Sequence, residues 1–288
     1  MHAIKKIAIS CAVIGFASSV GIADEVWSLD GFQAPESVLL DRERNVLYVS
    51  NIAGAPNEKN GAGFISKATP DGTMLESKWV SGLNAPKGLA QQGNTLYVSD
   101  VDRLVAIDVE AGEINGTWAA EGAQFLNDVA VDDTGRVFVS DMMTNRIYVL
   151  EDQAMSVFTK GAELLHPNGL HIEDGTLTVA AWGQNIKDDF TTETPGHLLT
   201  VDLKSKKVTP AGPGKPIGNL DGLEPDGSGG WLATDWIAGA LYRIDANGNA
   251  TQLLDLNQGS ADLEFIQAEK LAIIPMMMDG KIVAHRIE

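Results

Sequence analysis

LNDVAVDDTGRVFVSDMMTNRIYVLEDQAMSVFTK, residues 126–160, reads as four short strands. They are NDVAVDD, RVFVSDM, NRIYVLED and AMSVFTK, with Thr134-Gly135 and Glu151-Asp152 at turns. Apolar residues alternate within them, as at Val137 and Val139 or Ile147 and Val149, so that these side chains face neighbouring units. The same phrase recurs along the chain. GFQAPESV (31–38) matches GLNAPKGL (82–89), and LYVSN (47–51) matches LYVSD (96–100). Later copies open with NDVAV at Asn127, NGLHI at Asn168, DGLEP at Asp221 and ADLEF at Ala261. Successive openings at 36, 87, 127, 168, 221 and 261 lie 40 to 53 residues apart. Four strands per unit at a period of about 40–45 residues is the mark of a β-propeller.

The sequence therefore predicts an all-β, six-bladed propeller. Its last repeat has LAIIPM and KIVAHRIE as second and third strands, and then the chain stops. EVWSLDG, near the start, supplies the missing fourth strand. First and last segments would pair, close the ring and leave no free edge. A β-sandwich, the main alternative, gives no reason for six matching phrases.

Ahead of this strand lies a different segment. Lys5-Lys6 precedes an apolar run over residues 7–23 that ends in Gly21-Ile22-Ala23. This reads as a secretory signal peptide over 1–23, leaving a propeller domain at 24–288 and a secreted or periplasmic product. The run is short for a spanning helix of about 20 residues, so no membrane attachment is expected after cleavage. Cys11, the single cysteine, falls within the leader, so the exported domain is held together without disulfides. The formal charge is -18, and removing Lys5 and Lys6 takes it two units further negative. Such a surface repels phosphate backbones and speaks against nucleic acid as a partner.

In a propeller the first strand of each blade is innermost, and its opening end faces one mouth of the channel. One column of the repeat thus places Glu36, Lys87, Asn127, Asn168, Asp221 and Ala261 around one ring. Two carboxylates and two amides are hard oxygen donors that suit a divalent cation, calcium above all, with room for water or a substrate oxygen. The same residue types also open strands simply as turn formers. Lys87 reads either as an anchor for a substrate carboxylate or phosphate, or as a neutralising charge that leans away or pairs with Asp128 or Asp262.

PESVLLDRERNVLYVSN around Glu36, LNDVAVDDTGRVFVSDM around Asn127, HPNGL around Asn168 and LDGLEPDGSGGWLATDW around Asp221 carry a family resemblance. Over essentially all of 24–288 the chain resembles the senescence marker protein/gluconolactonase (regucalcin-like) family, related to the diisopropylfluorophosphatase and paraoxonase propellers. The resemblance implies a divalent metal at the axis, held by Glu36, Asn168 and Asp221, with Asn127 a fourth ligand or a substrate contact. It also implies Asp221 as general base. Metal binding would lower that basicity, which makes Asp128 a rival base. The implied chemistry is calcium-dependent hydrolysis of lactones or related esters. Gln124, Phe125 and Leu126 stand where sugar-lactone relatives tend to carry an Arg before the Asn-Asp pair, and Lys87 is a second departure. Both argue against a sugar substrate.

Met142, Met143, Trp182, Trp236, Met276 and Met277 end second strands near the same mouth, and together suggest a small-molecule substrate with an apolar part. Trp182 and Trp236 are the expected substrate contacts. Two long loops, 51–63 and 183–196, are expected lids or walls. His166, two residues before Asn168, is a candidate for proton transfer. No Gly-x-Ser-x-Gly elbow, phosphate loop or zinc-type His spacing is present. The other readings are a non-enzymatic propeller that binds a ligand or protein, any ion being structural, and a synthase or lyase acting without metal through an acid such as Asp128.

Overall fold

The computed structural model describes residues 24–287, so the expected signal peptide over 1–23 lies outside the described residues. Six four-stranded antiparallel sheets stand in a ring, forming a six-bladed β-propeller. Innermost are Pro35–Asp41, Pro86–Gln92, Leu126–Val131, Pro167–Glu173, Leu220–Pro225 and Glu264–Ile266. Each touches the inner strands on either side, and the last returns to the first. Asp24–Asp30 pairs with Lys281–Arg286 and completes the sixth blade, as the end segments predict. Trp27 of that strand donates its indole N–H to the Pro70 carbonyl of the first blade (3.1 Å), tying the closure to its neighbour.

The core lies between blades rather than within one. Six apolar clusters each combine residues of two adjacent blades. Second strands are buried on both faces, and period-2 geometry divides their side chains. Val137 and Val139 pack towards the second blade, while Phe138 packs towards the fourth. Ile147 and Val149 of the third strand join Phe138 in that cluster.

The recurring Val-Ser-Asp and Val-Ser-Asn phrases have a hydrogen-bonding cause. The acid or amide that ends the second strand accepts backbone N–H groups from the loop leading into the inner strand. Asp100 takes the amides of Asn84 and Ala85 (both 2.8 Å), and Asp141 takes those of Gln124 (3.0 Å) and Phe125 (3.1 Å). The hydroxyl before it spans two blades. Ser140 accepts from the Asp128 amide (2.9 Å) and donates to the Asn168 carbonyl of the next blade (2.8 Å). Thr234 does the same between Gly222 and Ala261 (both 2.9 Å), and Ser99 donates to the Asn127 carbonyl. Buried backbone groups freed at the channel are satisfied in this way.

They are freed because five inner strands leave register just after their first residue. The shift falls between Pro35 and Val38, Pro86 and Leu89, Leu126 and Val129, Pro167 and Leu170, and Leu220 and Leu223. Such bulges re-aim side chains. Here they fall on Glu36, Lys87, Asn127, Asn168 and Asp221, the positions that line up at the axis.

Glycine permits the close approach of inner strands. A methyl group at Gly169 would lie 2.2 Å from the Asp221 carbonyl oxygen, and one at Gly88 would lie 2.5 Å from the Asp128 Cα. Backbone cannot yield as a flexible side chain can. Gly169→Ala is expected to cost about 1–3 kcal/mol through overpacking, and so to lower Tm by several degrees for a chain of this size. Thermal melting checks this; an unchanged Tm would mean that the fourth and fifth blades are not pressed together there.

Candidate functional site

At one mouth of the channel a cavity of about 240 Å³ opens between inner strands and loops. Its polar lining comes from Glu36, Lys87, Asn127 and Asp221. Its walls are Trp182, Trp236, Phe125, Phe190, Met142 and Met277, with Ile52, Pro56 and Met278 completing them. All the axial-ring residues are buried, Asn168 included. The Asn168 amide nitrogen reaches the thioether of Met142, a cavity wall, at 4.0 Å.

Two acceptors in this ring are unusual. Glu36 Oε2 and Asn168 Oδ1 are buried and have no hydrogen-bond partner. Buried polar atoms are normally satisfied, and an orphaned carboxylate oxygen is costly. Burial, reinforced by the charges of Asp221 and Asp262, holds the Glu36 carboxyl well above the usual carboxylate range. Burial, with Asp262 and Asp235 nearby, does the same to Asp221. Clustered carboxyl groups that resist ionisation in the absence of a cation, beside orphaned oxygens, are the donor set that a hard divalent cation would satisfy. Among the described residues, no group of three or more His, Cys, Asp and Glu is placed to hold a metal. The axial ring has two carboxylates and two amides, with Lys87 and Ala261 completing it. On donor chemistry, then, the residues fit calcium through Glu36, Asp221, Asn168 and Asn127.

A deeper tier sits one residue further along. Asp128 and Asp262 line a second cavity, of about 190 Å³, together with Glu264. Asp128 accepts the amides of Val129 (2.7 Å) and Leu170 (2.6 Å). Asp262 accepts the Ser37 hydroxyl (2.6 Å). Burial pushes the Asp262 carboxyl up to about 7. It raises Asp128 as well, with Asp262 adding to the effect. These carboxylates stitch adjacent inner strands together, and neither lines the cavity at the mouth.

Lys87 leans away from that tier. Its ammonium donates to the Ala85 carbonyl (3.1 Å) and lies 4.4 Å from the centre of the Phe125 ring. No ion pair of Lys87 with Asp128 or Asp262 forms. Burial pushes its amine down to about 8, against the opposing pull of Glu36.

No family model matches the chain, and no curated protein matches it. Among solved structures, one of a nidogen/laminin complex aligns with a TM-score of 0.59 at 14% identity, covering 75% of this chain and 78% of that one. The likeness is one of fold. The chemistry of the mouth has to be argued from this chain's own residues.

Both long loops contribute to the cavity. Ile52 and Pro56 come from the first. The second is pinned by a two-residue ladder, Gly183–Gln184 with Thr194–Pro195, and by the Trp182 indole donating to the Phe190 carbonyl (2.8 Å). Phe190 has φ +64, a left-handed backbone that is rare for a bulky residue. Its ring lies 6.2 Å from that of Phe125, centre to centre. Trp182 and Trp236 are 6.3 Å apart on the same wall.

Of the six Met and Trp side chains anticipated here, Met142, Trp182, Trp236 and Met277 line the cavity. Met276 is a correction: the period-2 alternation turns it into the cluster between the fifth and sixth blades. Met143 packs beside the wall without lining the cavity. The His166 ring nitrogen meets the Met142 carbonyl at 2.7 Å, and its backbone amide donates to the Asn145 side chain (2.6 Å), so this histidine ties a loop together. Phe190, Ile52, Pro56 and Met278 were not singled out in the sequence, and Phe125 was named only as a departure from the sugar-lactonase pattern, not as a cavity wall. Phe125 left a further signal: it is an aromatic residue in a repeat column that holds Ala34, Ala85, His166, Asn219 and Gly259 in other blades.

Proposed function

We propose that this chain is a calcium-dependent hydrolase of small esters or lactones with an apolar part. The observation that carries the proposal is the pair of orphaned buried acceptors of the axial ring, Glu36 Oε2 and Asn168 Oδ1, together with Glu36 and Asp221 on the polar floor of an otherwise apolar cavity. Glu36, Asn168 and Asp221, with Asn127, would hold the ion. When bound, calcium supplies Lewis-acid polarisation of a carbonyl oxygen. Asp221 orients and deprotonates the attacking water, which is worth about 10²–10⁴-fold for a well-placed base. The Asn127 side chain reaches the cavity, where it hydrogen-bonds the substrate. Trp182, Trp236, Phe125 and Phe190 bind the apolar part and exclude bulk water. Asp128 keeps a structural role, because its oxygens already accept two amides. Export by the leader, cleaved near Ala23, is part of the same reading, as is the resemblance to the gluconolactonase-like propellers.

The test is a screen of phenyl acetate and of five- and six-membered lactones, with calcium and after chelation. Turnover should require calcium and fall about a hundredfold or more in Asn168→Ala, as expected for loss of an essential first contact. Thermal melting would confirm that the variant stays folded. Calcium-independent turnover, or an Asn168→Ala variant as active as the parent, would refute the hydrolase reading. No turnover on any of these substrates would leave the propeller as a ligand-binding module.

A further inference from the structure

Lys87 is the one buried lysine among the described residues. Lysine is almost never fully buried unless paired. Here no carboxylate lies within ion-pair distance of it. Its ammonium has three donors, and one of them is taken, by the Ala85 carbonyl. It lines the cavity where the polar floor meets the aromatic wall, close to Phe125.

Charge accounting gives this residue a purpose. A divalent ion held by Glu36 and Asp221 is neutralised by those two carboxylates. Asp100 and Asp141 also pull on Lys87, but Asp100 is paired with Arg103 and Asp141 accepts the Gln124 and Phe125 amides, so the ammonium remains at the cavity without a direct counter-ion and with donors to spare. Such a group is satisfied by one anionic oxygen, at the strength of a charge-assisted hydrogen bond. A phosphate dianion would overshoot that balance. The neighbouring walls are aromatic and thioether, suited to an apolar body attached to the anion.

We infer that the ligand is an amphiphilic monocarboxylate, an acid or an ester or lactone bearing one carboxylate, whose carboxylate is held by Lys87 while its apolar body lies against Trp182 and Trp236. This rests on the calcium reading, since without the ion an ionised Glu36 offsets the Lys87 charge and repels a carboxylate. Carboxylate binding should therefore depend on calcium, and by reciprocity the carboxylate should tighten calcium binding by the same factor.

Calorimetry with 4-phenylbutyrate and its primary amide, 4-phenylbutyramide, tests this without any catalytic readout. With calcium present, the acid should bind the parent chain about tenfold or more tightly than the amide, the size of one charge-assisted hydrogen bond. Lys87→Met should erase that preference and still bind calcium, at least as tightly as the parent, because a like charge has left the site. Equal binding of acid and amide by a calcium-loaded parent would overturn the inference and leave the metal reading standing. So would a preference that survives in Lys87→Met, which would put the carboxylate on the ion instead. Absence of calcium binding by the parent would remove the metal reading and this inference with it. The acid–amide comparison on the parent chain stands even if the variant fails to fold.

Discussion

Glu36→Gln is expected to melt at a higher temperature than the parent chain when both are free of calcium at pH 8, and to lose the stabilisation that calcium gives the parent. The two halves have one cause. Glu36 is buried with an orphaned oxygen, among carboxylates that oppose its ionisation. Folding at alkaline pH must either strip it of water as a charge or keep it protonated. Each tenfold change in proton affinity is about 1.4 kcal/mol, a few degrees of Tm for a chain of this size. Glutamine has nearly the same shape and no charge to bury, so the ion-free variant gains. The same exchange removes one of two carboxylates from the ligand set and should weaken calcium binding roughly a hundredfold or more, since affinity follows ligand charge. Calcium at a thousand times its Kd would raise the parent's stability by about 4 kcal/mol and the variant's far less. Paired melts with calcium and with chelator check this. An ion-free variant that melts lower than the parent would mean that Glu36 is already satisfied within the fold.

The second large effect is on pH dependence. Glu36, Asp128, Asp221 and Asp262 all have carboxyl groups raised by burial, Asp262 to about 7. In the unfolded chain such groups lose their protons near pH 4. The folded, ion-free chain keeps them longer and so binds more protons between about pH 4 and 7 and above. Stability must then fall as pH rises through that window, by about 1.4 kcal/mol per pH unit for each proton retained. Asp41 and Asp132 work the other way. Hydrogen bonds from Arg44 and Gln91 hold Asp41 below the usual range, and those from Thr134 and Arg136 hold Asp132 there, each outweighing its burial. Their contribution is present above about pH 4 and is lost below it. The chelated protein should thus be most stable near about pH 5. Calcium binds the ionised carboxylates, so its stabilising effect should grow from pH 5 to pH 8 and flatten the fall. A chelated chain whose Tm climbs steadily from pH 5 to pH 8 would contradict this picture of the axis.

The architecture was legible because the repeat unit is dictated locally. Phrases such as LYVSD combine residues for two blade interfaces with a hydroxyl and an acid that satisfy freed backbone groups, so the pattern recurs at each blade. The closing strand was legible from what the last repeat lacks. The axial column could be read since the register shift falls at one point of five inner strands. That the two long loops wall the cavity was legible, but which of their residues do so was not. Phe190 reaches Phe125 through a left-handed backbone within a long insertion, and no periodicity reports such a turn. Lys87 was placed in the ring correctly, but its partner was not evident: side-chain direction at a bulge is set by what surrounds it, and here the Phe125 face and the Ala85 carbonyl lie on the side away from Asp128 and Asp262. Met276 illustrates the same limit, since a one-residue step along a strand exchanges cavity for core.

Calorimetric titration of calcium into the chelator-treated chain at pH 8, with Asp221→Ala alongside, tests the central claim most directly. The expected result is one ion per chain, bound with release of protons from the carboxyl cluster, and no binding in the variant. A parent chain that takes up no calcium, or a variant that binds it as the parent does, would contradict the assignment of the axial ring as a metal centre.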